Sequence, residues 1–276
     1  MAHVKAKSAS HSTSTVKTTS RSKAIANIKA VHKSVTNLPY LGVIVAEFLG
    51  TFLITAAFLE MQASPLFFAF AVVGAILLVG GVSGAHLNPA VTIGAWVTRK
   101  IDSLTALFYV LAQLLGAYTA YQVLDSFLKN SSTTDTVTGT IFKAATITVG
   151  KEWYLFYAEL LGSIIIALGF ATALRLRKDK VASSLAAGFA TMIAFYLTLS
   201  ITTVFLSAQG TSLTFLNPAI AFAAQGLSLN NWPIVIFVVA PIIGGVIGFV
   251  LQDFLQTQNS DNGCDCDCDE NCTCCK

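Results

Sequence analysis

Apolar residues fall into six long blocks, roughly residues 39–60, 65–84, 103–128, 153–174, 181–206 and 231–256. Each reaches the roughly 20 residues that a membrane-spanning helix needs. With few exceptions the charges lie outside them. Two further apolar stretches, 89–98 and 218–227, are too short to span. They follow the second and fifth blocks, and each begins within the same tripeptide, Asn88-Pro89-Ala90 and Asn217-Pro218-Ala219. Asn is a good N-cap and Pro is favoured at the first helical position, so each copy reads as a helix start. A single copy would be an ordinary cap. Two copies in matching places of a membrane chain say more. Backbone inside a bilayer that is neither spanning helix nor barrel is tolerated only where protein or a water-filled cavity surrounds it. Short, proline-interrupted segments at corresponding places in two halves point to a transport path.

Composition agrees with this pattern. The chain of 276 residues is 54% hydrophobic and 11% charged, against about 25% charged in a typical soluble domain. The predicted fold is an all-α membrane protein with six transmembrane helices and two re-entrant half-helices in an inverted repeat. Residues 1–38 form a polar, basic tail without the apolar core of a signal peptide. Residues 39–256 form the membrane domain, with halves at about 39–128 and 153–256. Residues 257–276 form a Cys/Asp-rich tail. Fourteen of the 17 basic residues fall in the N-terminal tail, at Arg99-Lys100, at Arg175, Arg177, Lys178 and Lys180, or at Lys276. By the positive-inside rule both termini are cytoplasmic. The two short segments then enter from opposite sides. The net charge of +3 has this topological explanation and gives no ground for a nucleic-acid partner. The outer linker carries Asn130-Ser131-Ser132, a candidate glycosylation site at Asn130.

The halves repeat beyond the tripeptide. Ala46-Glu47-Phe48-Leu49-Gly50-Thr51 matches Ala158-Glu159-Leu160-Leu161-Gly162-Ser163, and Gln113-Leu114-Leu115-Gly116 corresponds to Pro241-Ile242-Ile243-Gly244. Glu47 and Glu159 are carboxylates within spans, which is costly enough to require a task. The favoured task is to accept hydrogen bonds from irregular backbone beside a half-helix; a ligand or proton role is the alternative. An enzyme is disfavoured. There is no Ser/His/Asp or Cys/His set, no phosphate-cradling glycine loop, and three of the four histidines lie in the N-terminal tail.

These residues resemble the aquaporins, the major intrinsic protein family, over about residues 40–256. The motifs that carry the likeness are Ala46 to Thr51, Ser83-Gly84-Ala85-His86-Leu87-Asn88-Pro89-Ala90-Val91-Thr92, Ala112-Gln113-Leu114-Leu115-Gly116, Leu216-Asn217-Pro218-Ala219, and Asn231-Trp232. The resemblance implies half-helices meeting at mid-membrane, a pore through each monomer, a homotetramer in a lipid bilayer, and no cofactor. The partners it implies are water and small neutral solutes such as glycerol, ammonia or hydrogen peroxide. Asn88 and Asn217 would donate to passing water beside two positive helix ends, which excludes protons. Backbone carbonyls of Gly84, Ala85, His86, Leu213, Thr214 and Phe215 would form a polar ladder, with His86 serving through its backbone.

One departure stands out. The family usually has Arg directly after the second tripeptide, and here Ile220 follows, then Ala221. By position the outer filter would comprise Phe68, Thr214, Ile220 and a span-5 residue. Counting from Gly188 gives Phe195, and counting back from Asn217 gives Phe205; Phe195 is favoured because the helix fixes depth. A filter without a charge either widens for larger neutral solutes or dewets and slows water. A non-conducting scaffold or junction protein with the same fold is the alternative function. Cys264, Cys266, Cys268, Cys272, Cys274 and Cys275 lie outside the resemblance. Soft-metal binding, acylation and idle reduced thiols all fit them, as does a gating or targeting role for the tail.

Overall fold

A computed structural model of the chain describes residues 40–61, 64–130, 147, 149–206, 214–224, 227 and 231–260. These residues form an all-α membrane fold with no strand among them. Five continuous helices are long and apolar enough to span: α1 (Leu41–Met61), α2 (Pro65–Ser83), α4 (Ser103–Asn130), α5 (Glu152–Arg175) and α6 (Lys180–Leu206). The sixth span is interrupted. It comprises α8 (Asn231–Ile234), a π-turn at Val235–Val239, and α9 (Ala240–Ser260). Two short helices, α3 (Pro89–Val97) and α7 (Pro218–Ala223), occupy the places of the expected half-helices. The second is shorter than the 218–227 expected from its apolar run.

Local chemistry fixes several boundaries. Pro65 opens α2 after an extended Ser64, and Gly84 closes it at φ +89, its N–H bonded to Gly80 O at 3.0 Å. A left-handed C-cap is the conformation that glycine takes without steric cost. Asp102 caps α4, its carboxylate accepting from Leu104 N and Thr105 N at 3.0 and 2.9 Å. Asp179 caps α6 through Val181 N and Ala182 N, both at 3.0 Å. The π-turn, which the apolar pattern did not foreshadow, has its cause at Pro241. Proline has no N–H for the carbonyl four residues back, and its ring crowds that carbonyl. A widened turn relieves both, and Ala240 N accordingly bonds Val235 O.

The half-helices exchange supports. α3 belongs to the first half of the sequence and packs on α9 of the second; α7 belongs to the second and packs on α4 of the first. Glycines permit the approach. A Cβ at Gly245 would fall on the carbonyl of Ala90, and one at Gly94 would meet Gly245 O at 2.6 Å. The repeat is exact in kind elsewhere: a Cβ at Gly116 would collide with Phe48 O, and one at Gly244 would meet Leu160 O at 2.7 Å. Phe48 and Leu160 are equivalent positions of the two matched hexapeptides. Small residues at such crossings let backbones approach where apolar burial alone cannot drive association. Large apolar side chains such as Phe67, Leu78, Phe127 and Ile193 remain exposed on the outer faces, as in a chain solvated by lipid. Trp153 and Trp232 stack edge-on, 5.3 Å apart, beside Tyr157 at one end of the helices. Such aromatics suit a membrane interface.

Gly245→Val should destabilise by about 1–3 kcal/mol or more through overpacking against Ala90. Gly74→Ala, where an added methyl meets nothing within 4 Å, should leave stability intact. Thermal unfolding in detergent checks the contrast; equal midpoints for the two variants would refute it.

Candidate functional site: the paired tripeptides and the path beside them

Irregular backbone enters the membrane interior at residues 84–88 and 214–217. Its amides need acceptors, and the two buried glutamates supply them. Glu47 Oε1 accepts from His86 N at 2.9 Å and from Ser83 Oγ at 2.6 Å. Its Oε2 accepts from Leu87 N and from Gln113 Nε2, both at 2.8 Å. Glu159 does the same in the other half, accepting from Phe215 N at 2.7 Å and from Leu216 N at 2.9 Å. The backbone so held is strained. Ala85, Leu87 and Leu216 have φ of +52, +54 and +53, a region unfavourable for residues with a Cβ. Strain of this kind persists only where the surroundings over-determine it. Leu87 and Leu216 themselves seat against Gly50 and Gly162, the equivalent glycines of α1 and α5.

Among the described residues the halves differ in the support at Gln113. Gln113 Nε2 donates to Glu47 and also to Thr92 Oγ1 at 2.8 Å, tying α4 to α3. Thr92 Oγ1 lies 3.3 Å from His86 Nδ1, and the His86 ring stands edge-on to Tyr109 at 5.2 Å. Tyr109 OH donates to Ser83 O at 2.7 Å. At the equivalent of Gln113 the second half has Pro241, which has no side-chain donor.

Each asparagine does two things. Asn88 Oδ1 accepts from Ala90 N at 2.8 Å and Asn217 Oδ1 from Ala219 N at 3.0 Å, so both cap their own half-helix. Their amide groups then cross. Asn88 Nδ2 donates to Leu216 O at 2.9 Å, and Asn217 Nδ2 donates to Leu87 O at 3.0 Å. The two tripeptides, 129 positions apart in sequence, are thereby joined tip to tip. Each carboxamide nitrogen carries a second hydrogen. Both asparagines line a narrow cavity of about 20 Å³, room for about one water, whose other walls include Ile54, Val72, Ile166 and Phe170. Its lining is apolar except for His86, Thr191 and the asparagines themselves.

Along α2 the lining continues both ways. One turn beyond Val72, Ile76 borders a wider space of about 170 Å³, with Gly80, Gly84, Ala173, Arg177 and Lys180 around it. In the other direction Phe68 enters a buried group of rings. Phe68 and Phe195 are 5.0 Å apart, Phe58 and Phe68 5.5 Å, Phe58 and Phe195 5.9 Å, and Phe58 and Phe215 5.8 Å. Phe237, aimed from the π-turn, stands 4.9 Å from Phe215.

The structure thus brings Phe68 and Phe195 together. Thr214 and Ile220 are fully buried, but neither lines the cavity at the asparagines. Leu213, the Phe205 side chain, the Asn130 side chain with its sequon, and the six cysteines lie outside the described residues. Phe58 went unnoticed in the sequence. A signal was available: it lies eleven residues after Glu47, three helical turns along the same face.

The fold and the crossed tripeptides define a membrane channel of the class that passes water or small solutes. A family model for the major intrinsic proteins matches residues 33–251, and the chain belongs to that family. It is 30% identical over 206 residues to the aquaporin AqpM of Methanothermobacter thermautotrophicus, covering 72% of this chain and 78% of that one. It is 32% identical over 192 residues to aquaporin-1 of Mus musculus, covering 68% of this chain and 65% of that one. The solved aquaglyceroporin of Plasmodium falciparum shares the fold, with TM-score 0.62 at 21% identity over 81% of this chain and 100% of that one.

Removing Glu47 orphans the amides of His86 and Leu87 and also the Gln113 side chain, a donor that Pro241 at the equivalent position of the second half cannot supply. At about 1–3 kcal/mol per unsatisfied buried group, Glu47→Ala should lower the unfolding midpoint more than Glu159→Ala. An equal or reversed order would refute this account of the supports.

Proposed function

We propose that the chain is a passive channel for water and small neutral solutes that excludes protons at the paired tripeptides. The crossed Asn88 and Asn217 amides carry this reading. Each uses one N–H to lock the opposite half-helix and has another for the cavity. A water held by both donors presents its lone pairs to the asparagines and cannot relay a proton through that oxygen. The N-termini of α3 and α7 add positive potential at the same place. The apolar walls supply few competing partners.

Sidedness follows from charge. Arg99, Lys100, Arg175, Arg177, Lys178 and Lys180 support a cytoplasmic side for the wider vestibule, by the positive-inside rule. The phenylalanine group is then part of the outer filter, formed by Phe68, Phe195, Thr214 and Ile220 without a charged donor. Cation exclusion there is weaker than in an arginine-bearing filter. Assembly as a homotetramer fits the family and the apolar outer faces. A second reading, a non-conducting protein with this fold, is favoured by the mutual contact of Phe58, Phe68 and Phe195.

Stopped-flow swelling of proteoliposomes decides between them. The channel should raise osmotic water permeability above that of empty vesicles without raising proton flux. Ile220→Arg should change water flux and lower cation leak. If water, glycerol and proton fluxes all stay at wild-type values in that variant, the filter assignment is wrong.

A further inference from the structure

The path narrows on a side chain that the paired tripeptides do not call for. Phe58 of α1 is buried, and its ring contacts those of Phe68, Phe195 and Phe215 from three other parts of the chain. Ring centroids 5.0–5.9 Å apart are in van der Waals contact, as stacked and edge-on pairs are. A water between two of them would hold their surfaces apart by its own diameter, about 2.8 Å for a 1.4 Å radius. No such gap exists within the Phe58–Phe68–Phe195 triangle.

The repeat supplies an independent argument that position 58 faces the path. Glu47 and Glu159 are equivalent. Seven residues beyond each stand Ile54 and Ile166, and both line the cavity at the asparagines. Eleven residues beyond each stand Phe58 and Phe170. Phe170 lines that cavity directly. By the inverted symmetry Phe58 occupies the matching place toward the opposite end, where Phe68, Phe195 and Phe215, all lining residues, meet it.

We propose that Phe58 is a specificity-determining residue of this channel. Resting on the channel reading above, the inference is that its ring sets both the width and the wetting of the outer constriction. Ile220 offers neither a charge nor a donor, and the rings described at the constriction are all apolar. Passage needs the Phe58 ring to turn aside and admits one small molecule at a time. The favoured permeants are water and neutral molecules of similar size. A polyol, which is wider and would leave several hydroxyls without partners among the rings, is excluded.

The test uses the full-length protein, purified and reconstituted, with water efflux and glycerol uptake both followed by stopped-flow light scattering. Phe58→Ala should raise water permeability per protein several-fold and admit glycerol. Phe58→Leu, which keeps apolar bulk and guards against a folding defect, should give intermediate values. Phe254→Ala, on an exposed face of α9, should match wild type. A residue that merely packs would alter stability and leave the glycerol-to-water ratio alone. Wild-type water flux and ratio in folded Phe58→Ala and Phe58→Leu, against a conducting wild type, would overturn the inference alone. Absence of flux through the wild type and every variant would overturn the channel reading and this inference with it.

Discussion

Non-helical backbone in a membrane interior has no water to satisfy it, and the rest of this structure follows from how that need is met. Two turns of chain carry unpaired amides to the same depth. Each is met by one carboxylate from a spanning helix, Glu47 or Glu159. The carboxylates are costly to bury, so they are fully engaged in hydrogen bonds. In return they hold leucines in left-handed backbone at positions 87 and 216. That geometry turns the carbonyls of Leu87 and Leu216 toward the opposite asparagine. Carboxylate, strained turn and crossed amide form one chain of dependence, run twice in opposite directions.

The two runs are equal in plan and unequal in reinforcement. Gln113 ties Glu47 to Thr92 and hence to α3. Its equivalent, Pro241, instead breaks the helical ladder and forces a π-turn. That turn presents Phe237 to Phe215, next to the ring group on the path. One sequence difference between the halves therefore stiffens the loop at one end and builds an aromatic wall at the other. The polar support lies toward the basic vestibule and the apolar support lies at the far constriction.

Much of this was legible in the sequence because it depends on local rules. Spans announce themselves by length and apolar content, half-helix starts by Asn-Pro, and the repeat by matched hexapeptides. The π-turn was not legible, since it depends on how a proline inside a span is accommodated. The crossed amide bonds join residues 128 and 130 positions apart, and no local pattern encodes them. Phe58 was hidden for another reason: motif position supplied filter residues from elements around the tripeptides, and α1 supplies a ring that no motif names.

Phe58 and Ile220 are best considered together. A protein interior at a pore constriction must still be close-packed wherever water is not intended. Where a long charged side chain is replaced by isoleucine, volume and donors are both lost. Widening would leave an apolar void, which stays dry and forfeits contacts on its walls. The structure has rings in mutual contact, with Phe58 joined to Phe68, Phe195 and Phe215. Of the two outcomes open to an uncharged filter, a wider passage or a drier one, that packing favours the second. On the proposed reading, selectivity then divides along the path. The asparagines, with polar donors in a cavity, would act on proton transfer through water. The phenylalanine rings would act on size and on how cheaply a permeant sheds its hydration. A barrier of that second kind would oppose ions through desolvation rather than through a like charge, and so more weakly than one that also carries an arginine.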